Sequence, residues 1–139
     1  PPDEIANNKE LTSSAGLRHI TLVSPSTPAK RKQMLAAQSE GFIYAVSRLG
    51  VTGAQQAPST GIGQLVSSIK AYTDTPVCVG FGISSPEQSA DVASASDGVV
   101  VGSAIVNQVA QNADQPNLAE IVRDFATPLI VATKNKSVS

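Results

Sequence analysis

The 139 residues contain no tryptophan, and cysteine, methionine and histidine occur once each. The lone Cys78 cannot close an internal disulfide, so no disulfide framework holds this fold, and an unpaired thiol suits a reducing compartment. No His/Cys/Asp/Glu cluster has the spacing of metal ligands, so no metal is expected. No apolar run approaches the roughly 20 residues of a membrane-spanning helix. Charge is sparse and balanced: 10 Lys and Arg against 11 Asp and Glu leave a net charge of −1. That gives no electrostatic case for nucleic acid or an anionic membrane as partner. No signal peptide is visible, and the chain starts Pro1-Pro2 without an initiator methionine, the start expected of a fragment or a processed chain.

What is present is a globular balance, 41% hydrophobic and 15% charged, in a length that makes one domain, residues 1–139. Pro1, Pro2, Asp3 and Glu4 suit a helix start, Ile5, Leu11 and Ala15 give it a weak apolar face, and Gly16 is its expected stop. Ile20 to Val23 reads as a short strand. Ser26 or Thr27 is the expected cap of a helix that begins at Pro28, carries Met34, Leu35 and Ala37, and runs to about Ser39. Phe42 to Val46 is a second strand, followed by a loop from Ser47 to about Gly61, long enough to suggest a functional lid. Ile62, Leu65, Val66 and Ile69 mark an amphipathic helix.

Strand three is Val77 to Val79. Ser85 and Gln88 form a capping box around Pro86 and Glu87, opening a helix that ends near Ser96. Val99 to Val101 reads as strand four, buried on both faces. Gly102-Ser103 opens a short helix to about Val109, and residues 111–117 are a polar linker. Asn117 is the expected cap of a last helix bearing Leu118, Ile121, Val122 and Phe125. Pro128 is expected to break or kink that helix, and the tail after Lys134 to fray. Short apolar strands alternating with amphipathic helices imply right-handed βα units on a parallel sheet, an α/β fold.

Three of these strands run into glycine: GFIYAVSRLGVTG (Gly41 to Gly53), PVCVGFGIS (Pro76 to Ser84) and DGVVVGSAIV (Asp97 to Val106). Glycine at the C-terminal end of a strand lets backbone N–H groups approach a ligand closely. Where such a strand feeds a helix, the first helical amides suit a phosphate. In (β/α)8 barrels a phosphate binds after the last two strands, at a short extra helix. Gly80, Gly82, Gly102 and Ser103 match that arrangement, with binding resting on backbone amides and the Ser103 hydroxyl because no Lys or Arg is near.

At these three stretches the chain resembles the tryptophan synthase alpha chain family, around barrel strands six, seven and eight. The SPSTP turn, Ser24 to Pro28, resembles that family's loop five. The resemblance spans Pro1 to about Phe125. It implies a (β/α)8 TIM-barrel family fold, of which this chain is a C-terminal half-barrel with four parallel strands. The implied reaction is aldol-type cleavage of indole-3-glycerol phosphate to indole and glyceraldehyde 3-phosphate in tryptophan biosynthesis. By motif, Tyr44, Arg48, Thr52, Gly80 and Phe81 resemble substrate-binding positions, with Arg48 and Thr52 in the closing loop. Gly53, Gly82, Gly102 and Ser103 resemble phosphate-binding ones. No cofactor is implied.

The family's catalytic glutamate and aspartate belong to its N-terminal half. Glu4, Glu10 and Glu40 match neither motif, so no catalytic residue is expected in this chain. The implied partners are indole-3-glycerol phosphate, a tryptophan synthase beta chain in an alpha2beta2 assembly, and a second half-barrel, by self-association. The implied location is cytoplasmic, or the chloroplast stroma in a plant. Two other readings stay open: a non-catalytic half-barrel serving binding or assembly, and a free-standing indole-3-glycerol phosphate lyase. Without the resemblance, Tyr44 reads as an ordinary core aromatic and Arg48 as a solvated loop charge. His19 reads as a structural or surface residue, Cys78 as a packed small hydrophobe, and Lys30, Arg31 and Lys32 as a solvated helix face.

Overall fold

Each strand is short, β-branched and bounded by turn residues, so neighbours must pair side by side to satisfy their backbones. A computed structural model of the chain describes residues 11–47, 58–80 and 82–134. The elements run β1 (Thr21–Val23), α1 (Ala29–Gln38), β2 (Ile43–Val46), α2 (Pro58–Lys70), β3 (Val77–Gly80), α3 (Pro86–Ala95), β4 (Gly98–Val100), α4 (Ser103–Gln111) and α5 (Leu118–Lys134). The four strands form one parallel sheet in the order β1-β2-β3-β4. The readings at Pro1–Glu4, Ile5 and Glu10, the stretch from Arg48 to Ala57, Phe81, and the tail after Lys134 lie outside the described residues.

Pairing aligns Thr21, Ile43 and Val77 in one row, and Val23, Ala45, Val79 and Val99 in another. Alternation turns these rows to one face of the sheet. There Val23, Ile43, Ala45, Val77 and Val79 are at most 1% exposed and share a core with Leu35 and Ala36 of α1, Ile62, Leu65, Val66 and Ile69 of α2, and Val92 of α3. All four expected apolar positions of α2 are buried. In α1 the buried pair is Leu35 and Ala36, whereas Ala37 faces solvent. The opposite face carries Leu22, Tyr44 and Cys78 in register with Gly98, and Val46 in register with Gly80 and Val100.

Helix ends follow the sequence signals in some places and depart from them in others. Gly16 ends the first helical turn, with the Leu17 N–H donating to Thr12 O at 2.8 Å. The Ser85/Gln88 capping box forms: Gln88 N–H donates to Ser85 Oγ, and Gln88 Oε1 accepts from Ser85 N–H, both at 3.3 Å. Neither Ser26 nor Thr27 caps α1. Pro28 is its N-cap, and the Thr27 hydroxyl instead accepts from Ser24 N–H at 3.0 Å, closing the preceding turn. Before α5 it is the Asn117 carbonyl that accepts from Glu120 and Ile121 N–H.

Three further expectations are corrected. The helix expected after Gly61 begins at Pro58, inside the segment read as loop, because proline is well suited to a first helical position. Strand four is Gly98–Val100 and none of its residues is fully buried, since it lies at the sheet edge and no described element covers its second face. Pro128 does not break the last helix, which continues to Lys134. One lost N–H bond is outweighed by seating Leu129, 4% exposed, against α3 and β4, and Thr127 Oγ1 donates to Arg123 O at 2.7 Å at the same turn.

Candidate functional site

In a parallel sheet all C-terminal strand ends lie along one edge, so the segments leaving β2, β3 and β4 converge whatever their sequence separation. Ser47 leaves β2 buried, its N–H donating to Gly80 O at 3.1 Å and locking the two strand ends together. Arg48, Thr52 and Gly53, read as the closing loop, and Phe81, read as pocket wall, lie outside the described residues. The positions within them are Tyr44, Gly80, Gly82, Gly102 and Ser103.

Tyr44 is half-buried on the face of the sheet away from the helices. Its ring rests over Gly80. A Cβ at Gly80 would lie 2.7 Å from Val100 O, 2.8 Å from Val100 Cβ and 2.9 Å from Tyr44 Cε2. Crowding by Tyr44 and Val100 is therefore sufficient reason for glycine there. Gly82 is different: it is exposed, meets nothing within 4 Å, and has φ +71, a left-handed backbone that glycine adopts without strain. It turns the chain back from the sheet edge into the Ser84-Ser85 cap of α3.

Gly102 is the N-cap of α4 and is exposed, with open space around its Cα. Its carbonyl accepts from the Ile105 and Val106 N–H groups at 3.0 and 3.1 Å. The amides of Ser103 and Ala104 precede the first residue that has a carbonyl one turn back, and they sit at the positive end of the helix dipole. Gly82 and Gly102-Ser103 thus follow neighbouring strands, β3 and β4, and both face open space. Such a pair of exposed backbone turns, one at a helix start, can take an anion without a cationic side chain.

The ionisable groups nearby hold structure. Glu40 Oε2 accepts from His19 N–H at 3.1 Å while Glu40 N–H donates to His19 O at 2.9 Å, so both residues tie the entry to β1 to the entry to β2. Asp97 Oδ2 accepts from Val77 N–H and pairs with Lys70 Nζ, each at 2.8 Å, fastening the starts of β3 and β4 to the end of α2. The Cys78 thiol is pushed above its ordinary value of 9.0 by burial and then by the Asp97 charge, which keeps it protonated and unreactive near neutrality. Lys30 and Arg31 are exposed as expected, and Lys32 Nζ donates to Ser68 Oγ at 3.0 Å, joining α1 to α2.

Sequence reasoning did not single out Ser89. It is 0% exposed, and its hydroxyl has no hydrogen-bond partner. The readable signal was its place at the start of a helical stripe, Ser89, Val92, Ala93 and Ser96, which turns inward together. No described helix is long and apolar enough to cross a membrane, and no described group of three His, Cys, Asp or Glu could hold a metal ion.

The family model of the tryptophan synthase alpha chain matches residues 1–130. The chain is 42% identical over 134 residues to a tryptophan synthase alpha chain of Desulfatibacillum aliphaticivorans, covering 96% of this chain and 51% of that one. It is 48% identical over 106 residues to one from Geobacter sp. (strain M21), covering 76% of this chain and 40% of the other. Among solved structures, Mycobacterium tuberculosis tryptophan synthase in space group F222 superposes with a TM-score of 0.77 at 35% identity, over 95% of this chain and 48% of that one. A tryptophan synthase alpha chain from Legionella pneumophila subsp. pneumophila gives 0.77 at 29% identity, over 100% and 51%. The chain spans about half the length of the curated relatives it matches.

Proposed function

The chain belongs to the tryptophan synthase alpha chain family, and from that membership we propose that residues 1–139 form one domain, the C-terminal half of a (β/α)8 barrel that holds the phosphate of indole-3-glycerol phosphate. The observation that carries this reading is the pairing of Gly82 with Gly102-Ser103 at the ends of adjacent parallel strands, the second at the start of α4. Backbone amides there receive the phosphate, and Ser103 adds a hydroxyl. Tyr44, Gly80 and Phe81 line the path from the phosphate to the indole. Arg48, Thr52 and Gly53 belong to the segment that closes over it.

The lyase reaction needs an acid to protonate indole C3 and a base for a glycerol hydroxyl. Glu40 is engaged with the His19 backbone at the N-terminal ends of the strands, far from that edge. The acid–base pair is therefore assigned to the other half of the barrel, and this half alone binds glycerol phosphates and turns nothing over. A second half also answers the bare face of the sheet and its open edges at β1 and β4. The beta chain is proposed as the further partner, by family.

Titration with glycerol 3-phosphate, followed by NMR, tests the site. Saturable shifts at the Gly82 and Ser103 amides are expected, and Gly102→Leu should abolish them while the rest of the spectrum is kept, since its side chain enters open space. Undiminished binding in that variant would remove the α4 site. Indole release by the pure chain would refute the division of labour.

The same bare face favours a second reading, an assembly module whose partner is another copy of itself. Sedimentation at rising concentration separates the two: a dimer broken by Leu22→Asp supports self-association, and a monomer that captures an N-terminal half supports the barrel.

A further inference from the structure

Two helices, α3 and α4, begin at the ends of adjacent strands, and their first turns are finished in opposite ways. At α3 the chain caps itself. Ser85 Oγ accepts from Gln88 N–H at 3.3 Å, and Gln88 Oε1 accepts from the Ser84 and Ser85 N–H groups at 2.8 and 3.3 Å. At α4 no side chain caps the first turn, because the N-cap is Gly102, and no acidic residue stands there. An uncapped start leaves its amide donors open, so an anion is directed to α4 and not to α3.

Acceptors at this edge are already engaged. Gly80 O, where the chain leaves β3, takes the Ser47 N–H at 3.1 Å, and Gly102 O takes the Ile105 and Val106 N–H groups. The Glu87 carboxyl, in the first turn of α3, is held by the Ser85 hydroxyl and then by its own N–H, which keep it ionised below its usual 4.5. The turn into α4 thus offers donors: the Ser103 and Ala104 amides and the Ser103 hydroxyl. No ionisable side chain lies on α4. Around it, α3 brings Glu87 and Asp91, and α5 brings Glu120 and the Arg123–Asp124 pair. The one histidine, His19, precedes β1 at the opposite edge of the sheet.

A phosphate monoester loses its last proton at about pH 6. Its monoanion keeps one P–OH, which must donate to an acceptor, whereas the dianion only accepts. Donors with no free acceptor beside them suit the dianion and strand the P–OH of the monoanion, and a stranded polar group is costly. Resting on the phosphate reading above, we propose that the α4 site selects the doubly ionised form of a phosphate monoester by hydrogen-bond polarity. Protonation of the ligand, and not of the protein, then switches binding off.

The test is an NMR titration of the whole chain at about pH 7 and about pH 5, read at the Gly82 and Ser103 amides. Three probes are used: glycerol 3-phosphate, inorganic sulfate and dimethyl phosphate. Glycerol 3-phosphate should bind about tenfold more weakly at the lower pH, as its dianion fraction falls. Sulfate, a dianion at both values, should bind equally at both, and dimethyl phosphate, a permanent monoanion, at least about tenfold more weakly than glycerol 3-phosphate at the higher pH. Ser103→Ala should weaken glycerol 3-phosphate at both pH values and keep the ratio between them. A ratio that grows in Ser103→Ala would mean that the hydroxyl accepts the ligand's proton, which overturns the proposal. Equal glycerol 3-phosphate affinity at the two pH values overturns it while leaving the phosphate reading in place, as does dimethyl phosphate binding as tightly as the monoester. Sulfate that weakens in parallel assigns the titration to the protein and also overturns it. No saturable shift with any probe overturns both readings.

Discussion

On the helix-covered face of the sheet, Val23, Ile43, Ala45, Val77 and Val79 are at most 1% exposed. One residue along the same strands, on the other face, Leu22 is 60% exposed, and Tyr44 and Cys78 are only half-buried. Both faces are made of apolar residues, the pattern of strands meant to be buried on both sides. The difference comes from what covers them: α1, α2, α3 and α5 lie on the first face, and none of the described elements lies on the second. Under the half-barrel reading proposed above, an apolar face that no described element covers is the surface a second half of the barrel would occupy. The same face carries Tyr44 and Gly80, so under the reading proposed above, completing the core and completing the proposed substrate pocket would be one event.

The sharpest way to break this comparison is truncation on each face. Ile43→Ala should lose about 2–5 kcal/mol, as buried isoleucines do, whereas Leu22→Ala in this chain alone should change stability by no more than about 0.5 kcal/mol. Urea unfolding of both variants checks the contrast, and equal losses would mean that the second face is covered after all. Adding an N-terminal half should then make Leu22→Ala costly.

Gly80→Ala comes next in size. Its Cβ would press on Val100 and the Tyr44 ring, a loss of about 1–3 kcal/mol, while Gly102→Ala, facing open space, should cost under about 1 kcal/mol. Thermal unfolding distinguishes a crowded strand interior from a free strand end. On the covered side, Ser85→Ala removes the cap of α3 and should cost about 1 kcal/mol, read from the same melts.

The smallest effects follow pH. Cys78, on the less covered face, has its thiol raised above 9.0 by burial and by Asp97. The folded state therefore holds this proton more tightly than the unfolded chain does. Its contribution to stability is complete below pH 9 and is lost as pH rises through the raised value. Alkylation by iodoacetamide should accelerate only above pH 9, and a thiol reacting freely at pH 7 would contradict the burial. Glu87, in the first turn of α3, runs the other way. The Ser85 hydroxyl and then its own backbone N–H hold its carboxyl below the usual 4.5. Its contribution is present above pH 4.5 and fades as pH falls through the lowered value. As Glu87 is fully exposed, the effect should be slight and largely screened by salt.

Much of this was legible in the residues. The Ile62–Ile69 stripe, the Ser85/Gln88 box and the four strands depend on local periodicity and local hydrogen bonds, which a sequence displays directly. Pro128 was misleading because the cost of a missing N–H is visible in sequence, whereas the seat that Leu129 finds against α3 and β4 is not. Thr27 was misread as a helix cap because its hydroxyl had a second local acceptor role, in the turn with Ser24. Ser89 escaped notice because a helical serine is ordinary until its surroundings leave it without a partner.

The residues alone determined the βα alternation, the glycines at the strand ends and the family they resemble, since each follows from short-range pattern. Only the tertiary structure decided that Gly80 is needed by Tyr44 and Val100, and that Gly82 and Gly102-Ser103 follow neighbouring strands. It also buried Ser89 without a hydrogen-bond partner and left one apolar face of the sheet without cover among the described elements. Those facts depend on parallel strand pairing, which joins residues 20 or more positions apart through registers that no local signal encodes.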